Sequence, residues 1–213
     1  RRIVFYVVTI VCNLFALYLS GSRTAWIPFV VTIPFMFLIN KRFIYFTTSM
    51  AGIGGAGLLL LLEPKLMQRA TIFQDFAKRS NIWETAIKGI QAHPLLGEGP
   101  LTYFHIYKQY HGHPTQHAHS IYLDPILSHG IIGVILAGIY FAGNLKEVYL
   151  LLKRRIDLRL FSLISAFILT ILIHGILDYT VYWVQTGLLF LIVLSASSMY
   201  FHKEQPYDIQ EEH

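Results

Sequence analysis

Four histidines crowd nine positions in His111-Gly112-His113-Pro114-Thr115-Gln116-His117-Ala118-His119, just ahead of an apolar stretch. Imidazole is a common zinc or copper ligand and His-x-His spacing can chelate, so a metal site is one reading of the run. Against it, no acidic or cysteine ligand lies within the run, and Gly112 and Pro114 deny it a helical face; solvated loop histidines are the other reading. His119 stands apart from the rest because it sits beside Ser120 at the entry to a helix. Arg23 lies in Ser20-Gly21-Ser22-Arg23-Thr24-Ala25-Trp26 between two apolar stretches, where a charge is expensive and normally paired. It either snorkels to lipid headgroups or clamps phosphate, whose oxygens match the planar guanidinium fork. Arg79, in Phe76-Ala77-Lys78-Arg79-Ser80-Asn81-Ile82-Trp83, would alone be read as a solvated charge. Two arginines and a histidine on one face would supply what transfer from a pyrophosphate-linked donor requires. The cations hold the leaving group and the imidazole, a natural base near neutral pH, takes the proton of an acceptor hydroxyl.

The elements that must position these residues belong to a membrane protein. The chain has 213 residues, 54% hydrophobic and only 14% charged, against about 25% charged in soluble domains. With a mean hydropathy of +0.51 and apolar residues in long blocks, a disordered chain, a coiled coil and a small soluble core are excluded. The single cysteine, Cys12, leaves no intrachain disulfide framework and no cysteine metal knuckle. The net charge of +5 does not point to nucleic acid, because no basic stripe with interleaved aromatics is present. Arg1-Arg2 runs straight into an apolar block without an initiator Met, as expected of a piece of a longer chain with further helices upstream. That block lacks a small-residue cleavage site and is followed by more spans, so it reads as a span and not a signal peptide.

A helix crossing the hydrocarbon needs about 20 mostly apolar residues, and six segments approach this: Ile3 to Leu19, Ala25 to Ile39, Phe43 to Leu62, Ile121 to Phe141, Leu160 to Leu177 and Val181 to Phe201. The expected fold is therefore all-α and polytopic, with about six transmembrane helices and a partly helical outer loop. Residues 1–62 and 121–201 each supply three spans, 63–120 an extracytoplasmic loop, and 202–213 a cytoplasmic tail. Pro28 and Pro34 interrupt the short second span, which would suit a helix lining a site. Alternate connections place ten of the Lys and Arg residues on one side and seven on the other, six of the seven inside the long loop. Short loops govern the positive-inside rule, so the ten-charge side is cytoplasmic. The turn at Arg23, the long loop and the turn at Asp178 and Tyr179 then all face outward from the cell or inner membrane. Within the long loop, Gln68 to Ile90 has helical apolar spacing at Ile72, Phe73, Phe76, Trp83, Ala86, Ile87 and Ile90, and His93-Pro94 stops it. Gly97-Glu98-Gly99-Pro100 is a turn signal, and an aromatic-rich piece from Leu101 to Tyr110 leads into the histidine run.

His119-Ser120, followed after nine residues by Gly130 and after two more by Gly133, resembles the histidine motif of the O-antigen ligase and Wzy-type O-antigen polymerase superfamily. Ser20 to Trp26 is similar to that family's serine-arginine signature, and Arg79 to Trp83 with His93-Pro94 and Gly97-Glu98-Gly99 resembles its outer loop. The resemblance runs through motifs from about Leu17 to Phe141 and implies the C-terminal half of such a protein. It implies a metal-independent membrane glycosyltransferase without a cofactor. The donor is an undecaprenyl-pyrophosphate-linked glycan, and the acceptor a hydroxyl of a glycan, lipid or protein. By motif position, Arg23 and Arg79 match the pyrophosphate-holding arginines and His119 the general base; His111, His113 and His117 match no motif residue. Asp178 and Tyr179 could bind sugar or orient His119, or be a helix-end carboxylate and an interfacial aromatic. No nucleotide sugar is implied, since no phosphate-cradling GxGxxG before a βαβ unit occurs, and Gly52 to Gly57 suits close helix packing. The rival of a different class is a histidine-rich metal transporter or sensor using His111, His113, His117 and His119, weakened by the scarcity of ionisable residues within the spans.

Overall fold

A computed structural model of the chain describes residues 2–62, 69–154 and 157–203. The described residues form eight α-helices and no strand: α1 (Arg2–Leu19), α2 (Trp26–Ile39), α3 (Phe43–Leu62), α4 (Arg69–Ala92), α5 (Thr102–Ile106), α6 (Leu123–Lys153), α7 (Leu158–His174) and α8 (Val184–Lys203). Single 3-10 turns occupy Arg23–Ala25 and Thr180–Tyr182. The tail over 204–213 and the Arg1, Lys65 and Arg155 charges lie outside the described residues, as does the side chain of Arg23. The chain is all-helical, as its apolar blocks predict. By length and composition α1 and α6 suffice to cross a membrane, while α2, α3, α7 and α8 carry shorter apolar stretches. No residue of α1 is buried, which fits a helix whose solvent is hydrocarbon.

Antiparallel α2 and α7 are pinned at both ends by polar side chains. At one end Asn40 donates from Nδ2 to Ser162 Oγ (2.7 Å); at the other, Thr24 Oγ1 lies 3.3 Å from His174 Nε2. Asp157 caps α7, accepting from the Arg159 and Leu160 N–H groups, as an Asx N-cap does. A second core joins α6, α7 and α8 through Val148, Leu151, Ile164 and Leu194. This packing accounts for the main departure from the sequence reading of the spans. The fourth helix does not end near Phe141 but continues to Lys153, because Val148 and Leu151 keep the helical period and bury against α7 and α8. The sixth begins at Val184 rather than Val181, residues 180–182 being taken up in the 3-10 turn.

The long connection folds into a cap on the start of α6. Ile82 and Ala86 of α4, Tyr103 and Ile106 of α5, Ala118 and Leu127 form its buried core. The amphipathic reading of α4 is right in extent and partly wrong in face. Trp83, Ala86 and Ile90 do pack inward, but Phe76 and Ile87 are exposed and Ile82 and Thr85 take the buried positions.

The cap is fastened at a break in α6. Gly130 has φ 64°, ψ −178° inside the helix, a region open essentially to glycine alone. The break frees two N–H groups, and the loop satisfies them: Ile131 N–H donates to Pro94 O (2.9 Å) and Ile132 N–H to Leu95 O (3.2 Å). In return Glu98 N–H donates to Leu127 O (3.4 Å) and Gly99 N–H to Ser128 O (2.8 Å). A Cβ on Gly130 would collide with the Leu95 carbonyl, and one on Gly97, at φ 65°, would come within 2.5 Å of the Ser128 carbonyl carbon. The glycines and the His93-Pro94 turn are thus the two halves of one backbone joint.

Candidate functional site

Three segments converge where α6 begins and α7 ends. Ser120 Oγ accepts from the Tyr122 and Leu123 N–H groups (3.2 and 3.4 Å), starting α6 immediately after His119. Asp124, buried in the first turn, accepts the Ala118 N–H on Oδ2 (2.6 Å) and ties down the end of the histidine run. Ile121 N–H donates to Gly175 O (2.8 Å), which joins this segment to the end of α7. His119 itself holds φ 45°, an uncommon left-handed conformation for a residue with a side chain. Its N–H donates to His117 Nδ1 (3.2 Å) and its carbonyl accepts from Trp83 Nε1 (3.4 Å), so the neighbours of the ring maintain the strained backbone.

The His119 ring lies between two oxygens. Its Nδ1 is 3.0 Å from Asp178 Oδ1 and its Nε2 is 3.1 Å from Thr115 Oγ1. Asp178 Oδ1 also accepts the Tyr179 N–H (2.8 Å). Burial by itself would raise the Asp178 carboxyl. The hydrogen bonds from His119 Nδ1 and the Tyr179 N–H, helped by the nearby His119 and His117 rings, outweigh it and hold the carboxyl at about 2. As a carboxylate it can only accept, so Nδ1 of a neutral His119 carries the proton and Nε2 is left as the acceptor, facing the Thr115 hydroxyl.

His117 sits behind His119 and is buried. Its ring centroid lies 4.3 Å from that of His119 and 4.6 Å from that of Tyr182, with Tyr179 and Trp183 edge-on. Burial, then the charges of His119 and Arg79, push it down to about 4 against the pull of Asp178. It is therefore a neutral acceptor for the His119 N–H. Tyr179 is pushed up to about 12, first by burial, so its hydroxyl stays protonated.

Arg79 reaches the same place from α4, its charge acting at both His117 and His174. Its Nη1 is shielded from solvent and has no hydrogen-bond partner among the described residues. A buried cationic donor without an acceptor is costly, and an anion would satisfy it. The turn of Arg23 is drawn in by its neighbour: Thr24 Oγ1 contacts His174 Nε2, and His174 Nδ1 lies 3.3 Å from Thr180 Oγ1.

Of the residues singled out by type and spacing, His119, Asp178 and Tyr179 come together with Arg79 beside them, and the backbone turn of Arg23 is adjacent. The four-histidine set does not converge. Among the described residues the grouped metal-capable atoms are those of His117, His119 and Asp178, within 4.8 Å of one another; His111 and His113 border a groove on α4 instead. Sequence reasoning offered His117 only as a ligand of the rival metal reading and gave no role to Thr115, Thr24 or His174. For His117 the sole signal was its place in the histidine run, and for the two threonines there was none.

Compared with known families, residues 8–138 match the family model described as O-antigen ligase. No curated protein and no solved structure matches the chain.

Proposed function

Starting from the fact that the chain belongs to the O-antigen ligase family, a family of membrane proteins that join glycans, we propose that it transfers a glycan from a lipid-pyrophosphate carrier of the undecaprenyl type to an acceptor hydroxyl. The observation that carries the reading is the Asp178–His119 pair with Nε2 directed at a hydroxyl, 3.0 Å and 3.1 Å on its two sides. An acceptor hydroxyl would take the place of the Thr115 hydroxyl at Nε2 and give up its proton as its oxygen attacks the anomeric carbon. Asp178 steadies the imidazolium that forms. The glycosidic bond to the carrier breaks with its electron pair on the pyrophosphate oxygen, whose charge Arg79, through its open Nη1, and Arg23 stabilise. One direct displacement inverts the anomeric centre. Tyr179 and the neighbouring rings would form the wall against which a sugar packs.

In this reading α1, α2, α3, α6, α7 and α8 all cross the cell membrane, and the cap of residues 63–120 lies on the extracytoplasmic face with the short Lys/Arg-rich connections on the other. Residues 1–62 and 121–201 then supply three transmembrane helices each. No cofactor or metal takes part. The metal-transporter reading loses its four-histidine ligand set in this geometry, and no observation favours it.

The test is transfer in vitro from a defined lipid-pyrophosphate-linked glycan to candidate glycan, lipid and protein acceptors, with the chain in nanodiscs. Transfer should persist in EDTA and fall 10²- to 10⁴-fold in His119→Ala, the usual contribution of a general base, while His105→Ala, at an exposed position on α5, stays near wild type. Transfer abolished by EDTA and restored by zinc, or undiminished in His119→Ala, would overturn the reading.

A further inference from the structure

His111 and His113, which the transfer chemistry leaves unused, line an open groove of about 420 Å³ with Ala77, Lys78, Asn81 and Pro114. That volume falls within the roughly 300–1,000 Å³ of small-molecule sites. The groove is built and not incidental. Its floor is fixed by Gly112, whose missing side chain lets the loop lie against α4 and α5: a Cβ there would come within 2.6 Å of Thr85 Oγ1 and 2.8 Å of Tyr103 Oη. Tyr103, itself buried, donates from its hydroxyl to His113 O (3.0 Å), and Asn81 donates from Nδ2 to His111 O (3.3 Å). His111 is held at φ 56°, so the loop follows the helix at some backbone cost.

Two features say what the groove would take. Its lining offers an ammonium, two imidazoles and an amide, and no carboxylate, so it favours an anion presented among polar groups. Along the chain, two of its lining residues are next to residues of the transfer site. Lys78 precedes Arg79 on α4, and Pro114 precedes Thr115, whose hydroxyl touches His119 Nε2.

We propose that this groove is a subsite for an acidic sugar, a uronate or phosphorylated unit, of the glycan chain undergoing transfer. The transfer reading is needed only to name the ligand a glycan; the preference for an anion rests on the lining. Lys78 would hold the acidic group, with His111 and His113 donating to hydroxyls. Such a unit would help align the chain with His119 without entering the chemistry.

The experiment measures binding of digalacturonate and of lactose to the full chain in nanodiscs by isothermal titration calorimetry. Digalacturonate should bind at least tenfold more tightly, less so as salt is raised. Lys78→Ala and Ala77→Glu should each weaken it about tenfold, the loss expected for one charge-assisted contact; Ala77 is exposed, so the new carboxylate leaves the fold intact. His119→Ala should bind normally, which separates this test from that of the transfer chemistry. In the transfer assay Ala77→Glu should raise KM for an acidic acceptor if the sugar arrives on the acceptor, and for an acidic donor if it arrives on the donor, with kcat little changed. Equal binding of the two disaccharides, binding lost in Arg79→Ala but kept in Lys78→Ala, or an unchanged KM for both substrates would overturn the subsite.

Discussion

Replacing Asp178 in two ways separates its charge from its geometry. Oδ1 of Asp178 accepts from both His119 Nδ1 (3.0 Å) and the Tyr179 N–H (2.8 Å). In Asp178→Asn the amide NH2 cannot turn toward that position, because it would meet the Tyr179 N–H donor to donor. The amide oxygen therefore stays at Oδ1, Nδ1 keeps its proton, and Nε2 remains the acceptor facing the substrate. What is lost is charge alone. A hydrogen bond to a charged group contributes about 1.5–3 kcal/mol and a neutral one about 0.5–1.5. The difference of roughly 1–1.5 kcal/mol corresponds to about five- to fifteenfold in rate. Asp178→Ala removes the acceptor altogether, frees the ring and its tautomer, and should cost roughly 10²-fold or more of the 10²- to 10⁴-fold a base supplies. The assay is kcat for transfer at saturating donor and acceptor, with each variant checked for normal abundance in the membrane. Equal losses in Asn and Ala would refute the shared-acceptor argument, and an unimpaired Ala variant would remove Asp178 from the reaction.

If Arg23 and Arg79 grip pyrophosphate through the guanidinium fork, Arg23→Lys and Arg79→Lys should each lower transfer at least tenfold despite the retained charge, whereas Arg159→Lys, exposed at the start of α7, should not; radiolabelled donor turnover reads this directly. Gly130→Ala combines a backbone conformation closed to other residues with a collision at the Leu95 carbonyl, a cost of about 2–6 kcal/mol from strain plus overpacking, to be seen as a lower melting temperature and reduced abundance. His117 is at about 4 in the folded cap and near the ordinary 6.5 once exposed. The unfolded state therefore takes up the extra proton first as pH falls, and the stability His117 contributes is complete above about 6.5 and lost toward 4. Thermal melts between pH 7.5 and 4.5 should show this acid loss in the wild type and a flatter profile in His117→Asn, which keeps an acceptor for the His119 N–H.

The reach of α6 to Lys153 came from burial of Val148 and Leu151 against α7 and α8, but the all-helical class and the presence of the other apolar helices were legible in the sequence, because such helices are written as uninterrupted hydrophobic runs. So was α4, with a proline turn at its end. The histidine, arginine and glycine motifs were legible too, since their spacing is local to one loop or one helix start. Sequence could not show that Gly130 and the His93-to-Gly99 turn are one joint. The hydrogen bonds between them involve only backbone atoms, and backbone pairing carries no side-chain signature. Nor could it choose the inward face of α4, whose partners, α5 and the start of α6, lie along the chain at separations no helical period reports. The pairing of His119 with Asp178, 59 positions apart, needed α7 to return beside α6. The link from Thr24 to His174 across 150 positions needed α2 and α7 to pack antiparallel. Residue type supplied the inventory of bases, acids and cations. Tertiary structure decided which histidine has a carboxylate behind it and a hydroxyl in front, because that depends on distances of about 3 Å between segments the chain itself keeps far apart.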